Sequence, residues 1–178
     1  GFPVTEFPLS YCNRSKIKKM YKKIILLLTI LAYSVIVAQS FMYIVALKNV
    51  QHGMQAESYI ELRKLLDINF RANYKYAVYA ALLTSLLLVL VNIKSPGSLL
   101  FITSAIAFTA LIADVLLMMK GNMPINKLIN TWTPVHYPDN WADYRAKWLQ
   151  IFFYREVATI TGFISLAIGA VFGLKQIK

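Results

Sequence analysis

The residues best suited to chemistry lie in one short run near the C-terminus, DNWADYRAKWLQIFFYRE, from Asp139 to Glu156. Within it Trp141, Arg145, Trp148, Phe152 and Arg155 are spaced 4, 3, 4 and 3 residues apart. At roughly 100° per residue these five side chains fall in a helical stripe about 80° wide. Two indoles, two guanidiniums and a phenyl ring on one face can hold a planar or anionic group by stacking and bidentate hydrogen bonds. Arg155 stands about two turns into an apolar stretch, where an unpaired cation is costly. Asp114 is the acid buried within another apolar stretch, near the same membrane face, and the two are expected to pair. Glu156 competes as a partner but points to a different face. Asn126 and Asn130 stand one turn apart upstream and can add amide groups to the same end of the molecule. The plainer alternative is that the tryptophans anchor at the membrane boundary and the arginines snorkel to headgroups.

Other reactive side chains are sparse. Cys12 is the single cysteine, so no intrachain disulfide and no cysteine zinc site can form. His52, His136, Glu57 and Glu61 could in principle meet as a mixed copper or iron site, but no tight ligand motif joins them. They read as loop residues in water, and neither a metal nor a cofactor is expected. Gln39 and Tyr43, one turn apart, could line the same pocket as the arginines. There is no Walker loop, no GxGxxG and no nucleophile elbow.

What must position these groups is a membrane protein. Of 178 residues 58% are hydrophobic and 15% charged, against about 45–50% and about 25% in soluble domains. Mean hydropathy is +0.54. This composition excludes a soluble enzyme, a disordered chain and a disulfide-rich module. The formal charge of +11 is therefore not read as a nucleic-acid footprint. Four apolar stretches have the length to cross a bilayer, at about residues 24–47, 76–93, 99–119 and 149–174. The break Lys94-Ser95-Pro96-Gly97 separates the second from the third, and Lys120-Gly121 reads as a helix stop after the third. Arg14, Lys16, Lys18, Lys19, Lys22 and Lys23 precede the first span and argue for a cytoplasmic N-terminus, with the C-terminus on the same side. The expected setting is the cytoplasmic membrane of a bacterium. Residues 1–23 form a basic tail ahead of a single four-span domain, 24–178. Met20 would make a natural start, and no function is assigned to residues 1–19.

Beyond the far membrane face two segments project. Ser58 and Glu61 fit a capping box, and no Pro or Gly follows until Pro96. One long helix from about Tyr59 to Ile93 is predicted, its outer half bearing a solvated face of Glu61, Lys64, Arg71 and Lys75. Between spans three and four a short helix enters at Asn122 and Pro124, with an apolar stripe of Ile125, Leu128, Ile129 and Trp132. Pro134 breaks it, and Asp139 is expected as N-cap of the last helix. The fold class is thus an all-α, four-helix membrane bundle whose second and fourth helices extend beyond the bilayer. A pocket lined by Trp141, Arg145, Trp148, Arg155, Asn126 and Asp114 is expected between the extended ends.

The order Pro124-Ile125-Asn126, Trp132, Pro138-Asp139-x-Trp141, Arg145, Trp148 and Arg155 resembles the signature of a family of small four-span membrane proteins. That family is known mostly as a domain of unknown function and includes the anthrone oxygenases of polyketide pathways. The resemblance covers about residues 98–174. It implies the four-span fold and a hydrophobic or aromatic substrate oxidised without a protein cofactor. One position departs: Phe152 stands where family members often carry Asn or His. Two classes of function follow, an oxygenase-like enzyme or a non-catalytic binder of lipid or ligand, including a subunit of a membrane complex.

Overall fold

In a computed structural model of the protein, residues 9–174 are described. They form four long helices and no strand. The first is α-helical over Leu9–Met42, widens into a π turn at Tyr43–Leu47 and ends with Lys48–Gly53. The second comprises Ala56–Asn69, a π turn at Phe70–Tyr74, and Lys75–Asn92. The third comprises Leu99–Leu117, a π turn at Met118–Asn122, and Met123–Ile129. The fourth runs Trp141–Ile168 with a terminal π turn at Gly169–Gly173. Each is long and apolar enough to cross a membrane. The predicted long second helix is present. The helical start at Leu9 makes much of the basic N-terminal stretch one continuous helix with the first span. Lys175 and Lys178 lie outside the described residues.

Several expected boundaries move, each for a visible reason. Gly121 does not stop the third helix. A Cβ placed there would meet Ile151 Cγ2 at 2.6 Å, so the glycine is present to let the fourth helix approach. The helix widens through its π turn and continues to Ile129. The wide turn also accommodates Pro124, which lacks an N–H and crowds the carbonyl four residues before it. The short helix expected between spans three and four is therefore the outer end of the third helix, which runs 31 residues from Leu99 to Ile129. In its stripe Ile125, Ile129 and Trp132 are buried, but Leu128 faces outward. The Ser58–Glu61 capping box is not formed. The second helix starts earlier, at Ala56, behind an extended Gln55 without a side-chain cap. Burial of Ala56, Tyr59 and Ile60 fixes that start. Asp139 is likewise no N-cap. Asn140 holds that position without a side-chain bond, and the chain is already turning through Trp141 N–H to Pro138 C=O, 3.0 Å.

The helices pack in cyclic order, each against its sequence neighbours, with the fourth closing on the first. Two apolar clusters hold them. The inner one contains Leu26, Tyr33, Ile36, Val78, Leu88, Leu100, Leu111 and Leu166. The outer one is aromatic: Tyr43, Tyr59, Trp132, Trp148 and Phe152 with Ile60, Ile125 and Ile129. Leu27, Leu31, Val45, Leu83, Ile164 and Val171 point outward from the spans, as a lipid-facing surface requires. Between the two clusters lies a buried polar layer, and the candidate site is there.

Candidate functional site

Arg155 and Asp114 meet, as the sequence led us to expect. The arginine Nε donates to Asp114 Oδ1 at 2.7 Å, with side-chain exposures of only 6% and 1%. Arg155 Nη1 donates to Asn122 Oδ1 at 3.2 Å, and Asn122 Nδ2 donates to the Trp148 carbonyl at 2.9 Å. The third and fourth helices are thereby pinned by a charge pair and an amide clasp. Thr159 adds a bond from the fourth helix to the first, with its hydroxyl 2.8 Å from that of Ser40. Glu156 takes no part. It lies in a separate groove beside Lys48 and Phe153.

A second network sits one layer further out and involves residues the sequence did not single out. Arg63 and Asp67, on the second helix, are both buried. Arg63 Nη2 donates to Asn126 Oδ1 at 2.8 Å, and its Nη1 donates to the Tyr43 hydroxyl at 3.2 Å. Asn126 Oδ1 also accepts from Trp148 Nε1 at 2.9 Å, while Asn126 Nδ2 donates to Asp67 Oδ1 at 3.0 Å. Asn130 Nδ2 and Arg71 Nε close on Asp67 Oδ2 at 2.8 and 2.9 Å. The Arg63 guanidinium lies 3.8 Å from the centre of the Trp148 ring, which stacks on Phe152 with planes 9° apart. The outer half of the second helix is thus not a simple solvated face. Glu61 and Lys75 are exposed, but Arg71 binds Asp67 and Lys64 donates to the Trp132 carbonyl. The sequence did not mark Arg63 and Asp67, because they stand in a charged stretch where polar side chains are ordinary.

These groups border a cavity of about 370 Å³, within the ordinary range of small-molecule sites. Its apolar wall includes Phe70, Val78, Leu82, Val115, Met118 and Met123. Its polar wall includes Arg63, Asp67, Asn122, Asn126 and Arg155. Of the six residues expected at the pocket, Trp148, Asn126 and Arg155 line it, and Asp114 stands behind Arg155. Trp141 and Arg145 lie elsewhere. Arg145 Nη1 donates to the Gln51 and Met54 carbonyls, both at 2.9 Å, and so satisfies the end of the first helix. Its guanidinium lies 4.6 Å from the Trp141 ring centre. Gln39 lines the cavity, whereas Tyr43 packs behind it, on Phe152 and under Arg63.

No protein-family model matches the chain, nor does any curated protein or solved structure. Among the described residues no group of three His, Cys, Asp or Glu side chains comes together to hold a metal ion. His52 is exposed, and His136 closes a tight turn by paired backbone hydrogen bonds with Thr133. Glu57 accepts from the Tyr137 hydroxyl at 2.9 Å, which ties the 130–140 loop to the second helix. Its own backbone amide, and then that hydroxyl, hold the Glu57 carboxyl below its ordinary range.

Proposed function

We propose that the protein binds a small hydrophobic molecule with an enolic, phenolic or otherwise anionic oxygen, and that it oxidises this molecule in the manner of the anthrone oxygenases it resembles. The observation that carries the reading is the cavity, where an apolar chamber has guanidiniums, two amides and an indole on one wall. Arg155 and Arg63 are held from behind by Asp114, Asn122, Asn126 and Tyr43, so they face a ligand already oriented. Preorganised donors of this kind stabilise an oxyanion with little reorganisation. For an anthrone, loss of the ring CH proton gives an enolate whose oxygen accepts from the arginines. Dioxygen adds to the carbanion, the peroxide takes up a proton, and loss of water leaves the quinone. One dioxygen is consumed and one water released per anthrone.

A second reading is a binder without chemistry, or a subunit of a membrane complex. It is favoured by the engagement of the cations in structural bonds: Arg145 to two carbonyls and Arg155 to Asp114 and Asn122. In either case we place the protein in the cytoplasmic membrane of a bacterium with both termini inside, on the basic cluster before the first span.

The test is mass spectrometry of small molecules that copurify with the protein, together with oxygen uptake on anthrone. The wild type is expected to carry a recurrent aromatic or amphiphilic ligand that Met118→Trp, which fills the cavity, loses. Anthrone-dependent oxygen uptake, with one quinone formed per dioxygen and none in Met118→Trp, supports the enzyme. A bound ligand without uptake supports the binder. Neither ligand nor uptake sinks both.

A further inference from the structure

The rim of the cavity names the route in, and with it a class of ligand. Four of the lining side chains are exposed: Arg71, Lys75 and Tyr79 on the second helix, and Met119 on the third. Tyr79 is 63% exposed and Met119 57%, both on surfaces that lie within the apolar spans. The opening is therefore a slot between two helices that faces hydrocarbon. It has a direction. Arg71, Lys75, Tyr79 and Leu82 follow one another down one helix face, and eleven residues at 1.5 Å each cover roughly 16 Å. Two cations stand at the outer end of the slot, where the span leaves the lipid, and an aromatic ring and a leucine stand at the inner end.

The charges along this path do not cancel. Arg63, Arg71, Lys75 and Arg155 border the cavity, against the one lining carboxylate, Asp67. Both Asp67 oxygens are already occupied, by Asn126 on one side and by Asn130 and Arg71 on the other. Asp114 neutralises Arg155 from behind. Two positive charges remain uncompensated. Arg63 Nε is also fully buried and without a hydrogen-bond partner. Unpaired donors and excess cation at the edge of a membrane are costly. A neutral ligand relieves neither, and a small soluble anion leaves the apolar slot empty.

We propose that the cavity takes a single-chain acidic amphiphile, a carboxylate or phosphate on an apolar tail, laterally from the bilayer through this slot. The headgroup lies against Arg71 and Lys75 within reach of Arg63, and the tail lies along Val78, Leu82 and Met119. Met118, Met119 and Met123 supply an adaptable wall for a chain of variable shape. This inference rests on the binding reading above and adds the ligand class and its path.

The experiment uses the whole chain in phosphatidylcholine nanodiscs, with 2-bromododecanoic acid and 2-bromododecanol, each brominated beside its headgroup and so near Trp148 when the headgroup is in reach of Arg63, as quenchers of tryptophan fluorescence. Trp148 is the tryptophan in the cavity wall. The acid is expected to quench at about tenfold lower concentration than the alcohol. The Arg71→Gln/Lys75→Gln double variant, altered at two exposed positions, is expected to bring the acid to the midpoint of the alcohol. Replacing part of the phosphatidylcholine with phosphatidylglycerol identifies the source of the headgroup. Competition of phosphatidylglycerol with the acid overturns the single-chain ligand in favour of a two-chain phospholipid, and lack of competition supports the free single-chain acid. Equal quenching by acid and alcohol in the wild type overturns the acidic class while leaving a binding cavity in place. No quenching by either, with the copurifying aromatic ligand still present, overturns the amphiphile alone.

Discussion

At the residue scale the molecule depends on Asp114 and Arg155. Removing one partner of a buried ion pair leaves the other charge uncompensated and costs about 3–5 kcal/mol. Asp114→Asn and Arg155→Gln are each expected to lower the melting temperature in detergent sharply. Asp114→Leu combined with Arg155→Met is expected to regain most of that loss, because an apolar pair removes both desolvation costs. If the double variant were no more stable than the single ones, the pair would be more than a mutual neutralisation. The pairing was legible in the sequence because an acid and a base each interrupted an apolar run at matching depth. The Arg63–Asn126–Asp67 network was not, because its residues sit where polar side chains are ordinary. Only the fold turns that helix face inward. Glu57 gives a smaller, pH-dependent case. Its carboxyl is held low in the folded protein, so its contact with Tyr137 is present above the unfolded value and lost as pH falls through the folded one. Protease cleavage within the 130–140 loop is expected to rise below pH 4.5, the ordinary value for the group, and to be high at all pH values in Glu57→Ala.

At the scale of elements the close contact of the third and fourth helices is set by absent side chains. Ile151 occupies the space a Cβ at Gly121 would need, and a Cβ at Gly162 would stand 3.2 Å from that of Ala110. Gly121→Val is expected to destabilise by about 1–3 kcal/mol, and Ile151→Ala in the same chain to restore part of that. A Gly121→Val protein as stable as wild type would show that the two helices can separate freely. The sequence offered Gly121 as a stop because Lys-Gly ends helices more often than it joins them. Periodicity and charge placed each apolar stretch inside one long helix. They failed at the ends, where tertiary packing decides which residues begin a helix. The capping box at Ser58 lost to the burial of Ala56, Tyr59 and Ile60.

At the scale of the whole molecule, the described helices place the Gly97 turn on the side of the N-terminus and the 130–140 loop on the opposite side. In a Cys12→Ser background, single cysteines at Gly97 and Val135 therefore report orientation. Gly97 has open space around it, and Val135 is 93% exposed. In intact cells an impermeant maleimide is expected to label Val135→Cys and to leave Gly97→Cys unlabelled until the cells are opened. The reverse pattern would overturn the orientation drawn from the basic cluster. Architecture was the most legible level, because 58% apolar residues in four runs admit few other arrangements. The cavity was the least legible, since it arises where the second and third helices widen beside each other.

That widening has a consequence for how the gene can vary. A π turn absorbs one extra residue without rotating the helix on either side of it. Asp114 and Asn122 are both buried toward the bundle across such a turn, as are Tyr43 and Gln51 across another. A codon lost within 43–47 or 118–122 would tighten that turn and keep both flanking faces in phase. The same loss elsewhere in these helices would rotate everything beyond it by about 100° and point the outer network into lipid. Single-residue length changes in natural or mutagenised copies of this chain should therefore concentrate at these two turns, the second of which borders the cavity, altering its width while sparing the bundle.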